Sequence, residues 1–151
     1  MQCQLSAKVL EGLGPQHQVE VAFVAAQLAL PFWRRAFPEK ERQEPLNAAL
    51  QMVQTFCVSG SLPPESKVIA ELAYKSVSAC DLPPGDIQRS SGFSVAHVAM
   101  IPWLLSVGSA SKAKHNAMVA VNYSESIHAW AGRVPELEAA LVARALELAG
   151  A

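Results

Sequence analysis

Apolar residues recur along this chain at the three- and four-residue spacing of a helix, and no stretch alternates apolar with polar over the length of a strand. Proline and glycine cut the pattern into helical lengths. Gly12-Leu13-Gly14-Pro15 closes a short first helix that starts near Gln4. A long helix follows over Gln16 to Phe37. Val19, Ala22, Phe23, Ala26, Leu30, Trp33 and Phe37 form one stripe on it, and Val21, Val24, Leu28 and Phe32 cover much of the rest. A helix apolar most of the way round is a central one, with neighbours on several sides. Pro31 is expected to kink it or split it in two.

Pro38-Glu39-Lys40-Glu41-Arg42-Gln43-Glu44 reads as a charged connector. Pro45 then suits the first turn of a helix to Ser59, with Leu46, Ala49, Leu50, Val53, Phe56 and Cys57 facing inward and Gly60 ending it. Pro64 to Cys80 repeats the scheme. Ile69, Leu72, Ala73, Ser76 and Cys80 share its inner face, and Glu71 and Lys75 make a solvent-side i,i+4 pair. Asp86 can cap a helix through about Met100, which Pro102 bends or interrupts before Gly108. Ser109 or Ser111 caps the next, to about Gly132. Val134 to Ala149 is the last, its inner stripe Leu137, Ala140, Leu141, Ala145 and Leu148. The expectation is all-α: one compact domain over residues 1–151, a bundle of six to seven helices with Pro-interrupted central members.

Composition narrows the function classes. The chain has 25 Ala and 16 Leu among 151 residues, and 51% of it is hydrophobic. Alanine gives up no side-chain entropy on entering a helix, and so apolar a chain is not disordered. Twelve Lys and Arg against 13 Asp and Glu give a net charge of −1, which speaks against nucleic acid as a partner. The apolar runs Val21–Trp33 and Val95–Val107 fall short of a membrane span, and Met1 to Ser6 has no secretory pattern, so a cytoplasmic location is expected. Cys3, Cys57 and Cys80 are odd in number and far apart, which fits reduced, mostly buried thiols.

Residue patterns that could carry chemistry are sparse. Glu125-x-x-His128 has the spacing used by helical di-iron centres, but such centres need two copies and further carboxylates. Neither a metal nor another cofactor is expected. Ser109-Ala110-Ser111-Lys112 matches a serine–lysine nucleophile pattern without its companion motifs, so the serines read as helix caps and no catalytic residue is assigned. His97 lies in one of the most apolar stretches. It reads as a hydrogen-bonded core histidine, or as a functional one, because burial shifts a pKa and shifted groups concentrate at sites. His115, beside Lys114 and Asn116, reads as surface. Arg42 and Arg89 serve either packing with an ion pair or recognition of an acidic group on a partner. Trp33, Trp103 and Trp130 read as core or half-buried anchors, with Trp103, after Pro102, the one to reach the surface as an interface hot spot.

The run Leu30-Pro31-Phe32-Trp33-Arg34-Arg35-Ala36-Phe37-Pro38-Glu39-Lys40-Glu41-Arg42, continuing through Leu46-Asn47-Ala48-Ala49-Leu50 to Gly60, resembles an all-helical family of bacterial immunity proteins from polymorphic toxin systems. Asp86 to Ala99, with Arg89-Ser90-Ser91-Gly92 and His97, resembles a later helix of that family. The similarity spans roughly residues 19–130. It implies a cytoplasmic protein that binds and neutralises a cognate toxin domain, without catalysis of its own, and it implies roles for Arg42, Arg89 and His97. The acids Glu39, Glu41 and Glu44 could then occlude a basic toxin site. Two other classes remain open, with the oligomeric state undecided. One is a helical adaptor module, homodimeric or part of a larger assembly. The other is a small metalloprotein around Glu125, His128 and His97.

Overall fold

The computed structural model describes residues 5–83 and 85–150, and among these it contains seven α-helices and no strand. They are α1 (Leu5–Leu10), α2 (Pro15–Ala36), α3 (Lys40–Ser59), α4 (Ser66–Ser78), α5 (Arg89–Ser106), α6 (Ala110–Trp130) and α7 (Val134–Ala149). Gln4 and Cys3 lie outside the described residues. The all-α bundle read from apolar spacing is therefore the fold observed.

Local signals explain most of the boundaries. Pro15 opens α2, where its fixed φ is already helical and its missing N–H costs nothing. Gly60 closes α3 in the left-handed region, φ 73°, and its N–H bonds the Phe56 carbonyl at 2.8 Å. The Asp86 carboxylate accepts the Gln88 N–H at 2.8 Å and starts the turn that feeds α5. Ser109 precedes α6, but its hydroxyl makes no capping bond.

Three prolines behave less disruptively than expected. Both α2 and α5 run on unbroken past Pro31 and Pro102. An interior proline costs about 3 kcal/mol, whereas fully burying one Leu or Ile returns about 1.5–3 kcal/mol. Phe32 and Trp33 beyond Pro31 are buried, and beyond Pro102 Leu104 is buried with Trp103 and Leu105 half-buried, so the side chains that follow each proline together offset its cost. The predicted connector Pro38–Glu44 is also corrected. α3 already begins at Lys40 and Pro45 sits inside it, where the carbonyl it leaves unpaired belongs to solvent-exposed Glu41.

α5 is the hub, touching α2, α3, α4 and α6, while α1 and α7 close over α2 and α6. Its middle is small and apolar, which lets neighbours come close. A Cβ at Gly92 would stand 2.6 Å from Val77 Cγ2 and 2.8 Å from two carbons of the Trp33 ring. Trp33 is fully buried there, and its indole N–H donates to the Arg42 carbonyl at 3.1 Å. On the other flank Ser94 donates to the Ala120 carbonyl and Ser124 to the Ala25 carbonyl, each at 2.7 Å. These buried hydroxyls pair with backbone across helices rather than remain unsatisfied.

On α4 the buried residues are Ser66, Ala70, Ala73 and Val77. Of the predicted stripe Ala73 and, just beyond the helix, Cys80 are buried, while Ile69 and Ser76 are half-buried. Leu72, expected inside, is 53% exposed. The helix has turned its small side chains, not its large ones, towards the crowded hub. Gly92→Ala should therefore destabilise the fold by about 1–3 kcal/mol through overpacking against Trp33. Urea unfolding followed by circular dichroism measures it, and an unchanged midpoint would mean that the Gly92 contact is not tight.

Candidate partner-binding surface

α4, α5 and α6 run antiparallel in turn. Arg89 at the start of α5 meets the end of α4, and Lys67 near the start of α4 lies over Trp103 late in α5. Phe93 and His97 of α5 meet Tyr123 and Asn116 of α6. Because the middle of α5 is buried deeply between its neighbours, one of its faces becomes the floor of a groove walled by α4 and α6.

Two adjoining cavities make up this groove. One, about 320 Å³, is lined by Glu71, Tyr74, Lys75, His97, Met100 and Asn116. The other, about 500 Å³, shares Met100 and Asn116 and continues past Trp103, Leu104 and Lys112. Aromatic rings pack along the floor. His97 stacks on Tyr123 at 5.6 Å and meets Tyr74 edge-on at 5.9 Å, and Phe93 lies 5.3 Å from Tyr123. The Lys67 ammonium sits 4.6 Å from the Trp103 ring centroid, a cation–π contact that leaves the indole half-exposed. None of Lys67, Lys75 and Lys112 forms an ion pair among the described residues. Nor do Glu71 and Lys75 pair with each other as predicted; both are exposed at the edge of the His97 cavity.

The hydrogen bonds around His97 fix its tautomer. Asn116 Nδ2 donates to the Lys112 carbonyl at 2.9 Å, which turns Oδ1 towards the ring. Nδ1–H of His97 then donates to that Oδ1 at 3.0 Å, leaving Nε2 as an acceptor. Burial lowers the pKa of His97 below its ordinary value of 6.5, against the opposing pull of Asn116. His97 is thus half-buried, neutral and hydrogen-bonded.

The residues singled out from the sequence fall into two regions. His97 and Trp103 share the groove. Glu39, just before α3, and Glu41, Arg42 and Glu44 on its first turns lie elsewhere, with all three acids exposed. Glu44 is 3.8 Å from Lys40, a solvent-screened pair. Arg42 pairs with Asp81 at 2.6 Å and lies over the Phe37 ring. Arg89 is held within the fold: its guanidinium donates to the carbonyls of Val77, Ser78, Cys80 and Leu82, at and beyond the end of α4. A cation there also complements the helix dipole. Of the tryptophans, Trp33 is core and Trp103 half-buried, but Trp130, expected as an anchor, is 59% exposed and more open than Trp103. It ends α6, just before the turn that leads to α7.

Glu125 and His128, paired in the sequence, serve different neighbours. The Glu125 carboxylate accepts the Leu5 N–H at 3.1 Å, at the start of α1. His128 Nδ1 bonds the Ser124 carbonyl at 2.7 Å. Among the described residues no group of three His, Cys, Asp or Glu side chains is placed to hold a metal. Burial pushes the Cys57 thiol up to about 12, with Glu20 adding to the effect, so it stays protonated and unreactive at neutral pH. No described helix is long and apolar enough to cross a membrane. Compared with protein-family models, curated proteins and solved structures, the chain matches none.

Two outcomes follow from these placements. His97 and His128 both have folded-state pKa values lowered by burial, so the unfolded chain binds protons more readily. Stability is then full above the ordinary value of 6.5 and falls as pH drops from there through the folded pKa values. Urea midpoints from about pH 8 to about pH 5 should show this, with a shallower fall in His97→Gln. Arg89→Met, which keeps the aliphatic stem, should cost about 1.5–3 kcal/mol because it removes charge-assisted bonds to carbonyls. Thermal unfolding checks that value.

Proposed function

We propose that this chain is an immunity protein: a cytoplasmic helical scaffold that binds a cognate bacterial toxin domain and blocks it stoichiometrically, without catalysis of its own. The observation that carries the binding part is the groove between α4 and α6, where the half-exposed Trp103 is flanked by lysines that have no acidic partner. A large aromatic ring in a shallow apolar groove with an unpaired charged rim is the usual form of a binding hot spot. The resemblance of the α2–α3 region and of α5 to bacterial immunity proteins supplies the nature of the partner.

The first turns of α3 add a second surface, of opposite sign. Glu39, Glu41 and Glu44 are exposed on it and available to a basic toxin surface. Opposite charge at two places favours a single docking orientation and suppresses wrong partners.

A self-associating adaptor is the second reading. It is favoured by Val68 and Leu72, which are 55% and 53% exposed one helical turn apart on α4. Light scattering separates the two, since a stable dimer without toxin supports the adaptor.

The test starts from the neighbouring reading frames: a toxin-like gene is expected beside this one, and its product is to be co-expressed with this chain. Growth rescue and a one-to-one complex are expected. Trp103→Ala should weaken that complex by roughly 30-fold, the scale of one hot-spot residue. Joint reversal of Glu39, Glu41 and Glu44 to Lys should weaken it further if the α3 surface also docks. Failure of the wild-type chain to neutralise the toxin would overturn the immunity reading, and unchanged affinity in both variants would remove these surfaces.

A further inference from the structure

Away from the groove, α2, the end of α6 and the start of α7 enclose another cavity of about 440 Å³. That volume is in the range of small-ligand sites, about 300–1,000 Å³. Its walls divide by chemistry. Phe32 and Leu137 form a buried apolar floor, extended by Leu28 and Pro31. Arg35, Arg133 and Glu136 supply its charged groups, and none of the three forms an ion pair among the described residues. The Arg35 guanidinium carbon lies 5.2 Å from the Phe32 ring centroid, so stacking holds it beside the apolar floor.

His128 also lines this cavity, yet only 5% of it is exposed. Its ring meets Phe32 edge-on, centroids 5.2 Å apart and planes at 77°. Nδ1 must carry the proton, because its close partner is the Ser124 carbonyl, which can only accept. The lone pair therefore sits on Nε2, and no described residue hydrogen-bonds to it. Nε2 is thus an acceptor beside the cavity, open to a hydrogen bond from a donor on a bound molecule. Neither this nitrogen nor the two arginines enter the partner-binding surface above.

We propose that this cavity binds a free apolar α-amino acid. Its carboxylate lies between Arg35 and Arg133, its ammonium group donates to His128 Nε2 and faces Glu136, and its side chain covers Phe32 and Leu137. Simpler ligands leave something unsatisfied. An inorganic anion would face the Glu136 carboxylate and the imidazole lone pair. A plain cation would face two guanidinium groups, and a hydrocarbon would bury Nε2 unpaired. A zwitterion with an apolar side chain satisfies all four groups and the floor together.

Calorimetric titration of the full chain with L-phenylalanine and L-leucine tests this, with the His128 ring resonances followed by NMR. Saturable binding that shifts those resonances is expected, while N-acetyl-L-phenylalanine and L-phenylalaninamide, each lacking one charge, bind at least tenfold more weakly. Arg35→Gln and Arg133→Gln, both at exposed positions, should each raise Kd about tenfold while leaving thermal unfolding unchanged. The proposal is overturned by no saturable binding up to about 10 mM, by equal binding of the N-acetyl derivative, or by indifference to both arginine variants. None of these outcomes depends on a toxin partner.

Discussion

Position 92 has room for a hydrogen and nothing more, and the bundle is arranged around that fact. Val77 of α4 and Trp33 of α2 both approach it to distances at which a Cβ would collide. Three helices can converge there only because one of them offers no side chain. The convergence is what buries Trp33 completely, and burying an indole obliges its N–H to find an acceptor. The acceptor is the Arg42 carbonyl, so the first turns of α3 are tied to the end of α2. A segment rich in charge, which by itself looks like a loop, is thereby held as helix.

The same close approach sets the character of the rest of the core. Alanine and serine dominate where α2, α5 and α6 meet, with Ala22, Ala25, Ala26, Ser91, Ser94, Ala117 and Ala120 all buried. Small side chains bring backbones near enough for Ser94 and Ser124 to donate across to neighbouring carbonyls. Some larger side chains of α4 and α5 are left nearer the surface, although Trp33, Leu46 and Ile101 stay fully buried. Phe93, His97, Met100 and Trp103 end up half-buried on the floor between α4 and α6, while Val68 and Leu72 reach solvent on α4. A core built on small residues thus leaves aromatic surface over, and that surplus is the candidate interface.

Charge is scarce in this chain, and the fold divides it into two uses. Arg89 and Arg42 both serve the segment after α4, one through backbone carbonyls and the other through Asp81. Glu125 holds the start of α1, and Arg144 joins α7 to Glu20 of α2. The lysines of the groove, the acids of α3, and Arg35, Arg133 and Glu136 beside His128 lack internal partners of this strength. Charges of the first kind close gaps in the fold; those of the second remain available to other molecules.

Much of this was legible in the sequence because it depends on neighbours along the chain. The apolar period defined the helices, and Pro15, Gly60 and Asp86 marked their ends through local backbone geometry. Trp33 on a continuous apolar stripe was legible as core, but the order of exposure of the other two was not: Trp130, not Trp103, is the most open tryptophan. The start of α3 was not legible, because it hangs on a bond from Trp33, and neither was the exposure of Leu72, because helix rotation answers to the Gly92 contact. Arg89 looked equally suited to a partner and to the fold, since only a folded chain brings the end of α4 within its reach. His128 and Arg35 are 93 residues apart, and no periodicity relates them. The sequence by itself determined the helices and several of their ends, such as Pro15 and Gly60, which rest on backbone geometry within a few residues, whereas the serine cap expected at Ser109 did not form. Which faces they bury, and which polar groups they leave unpaired, only the tertiary structure decided, because those outcomes depend on steric fit between helices distant in sequence.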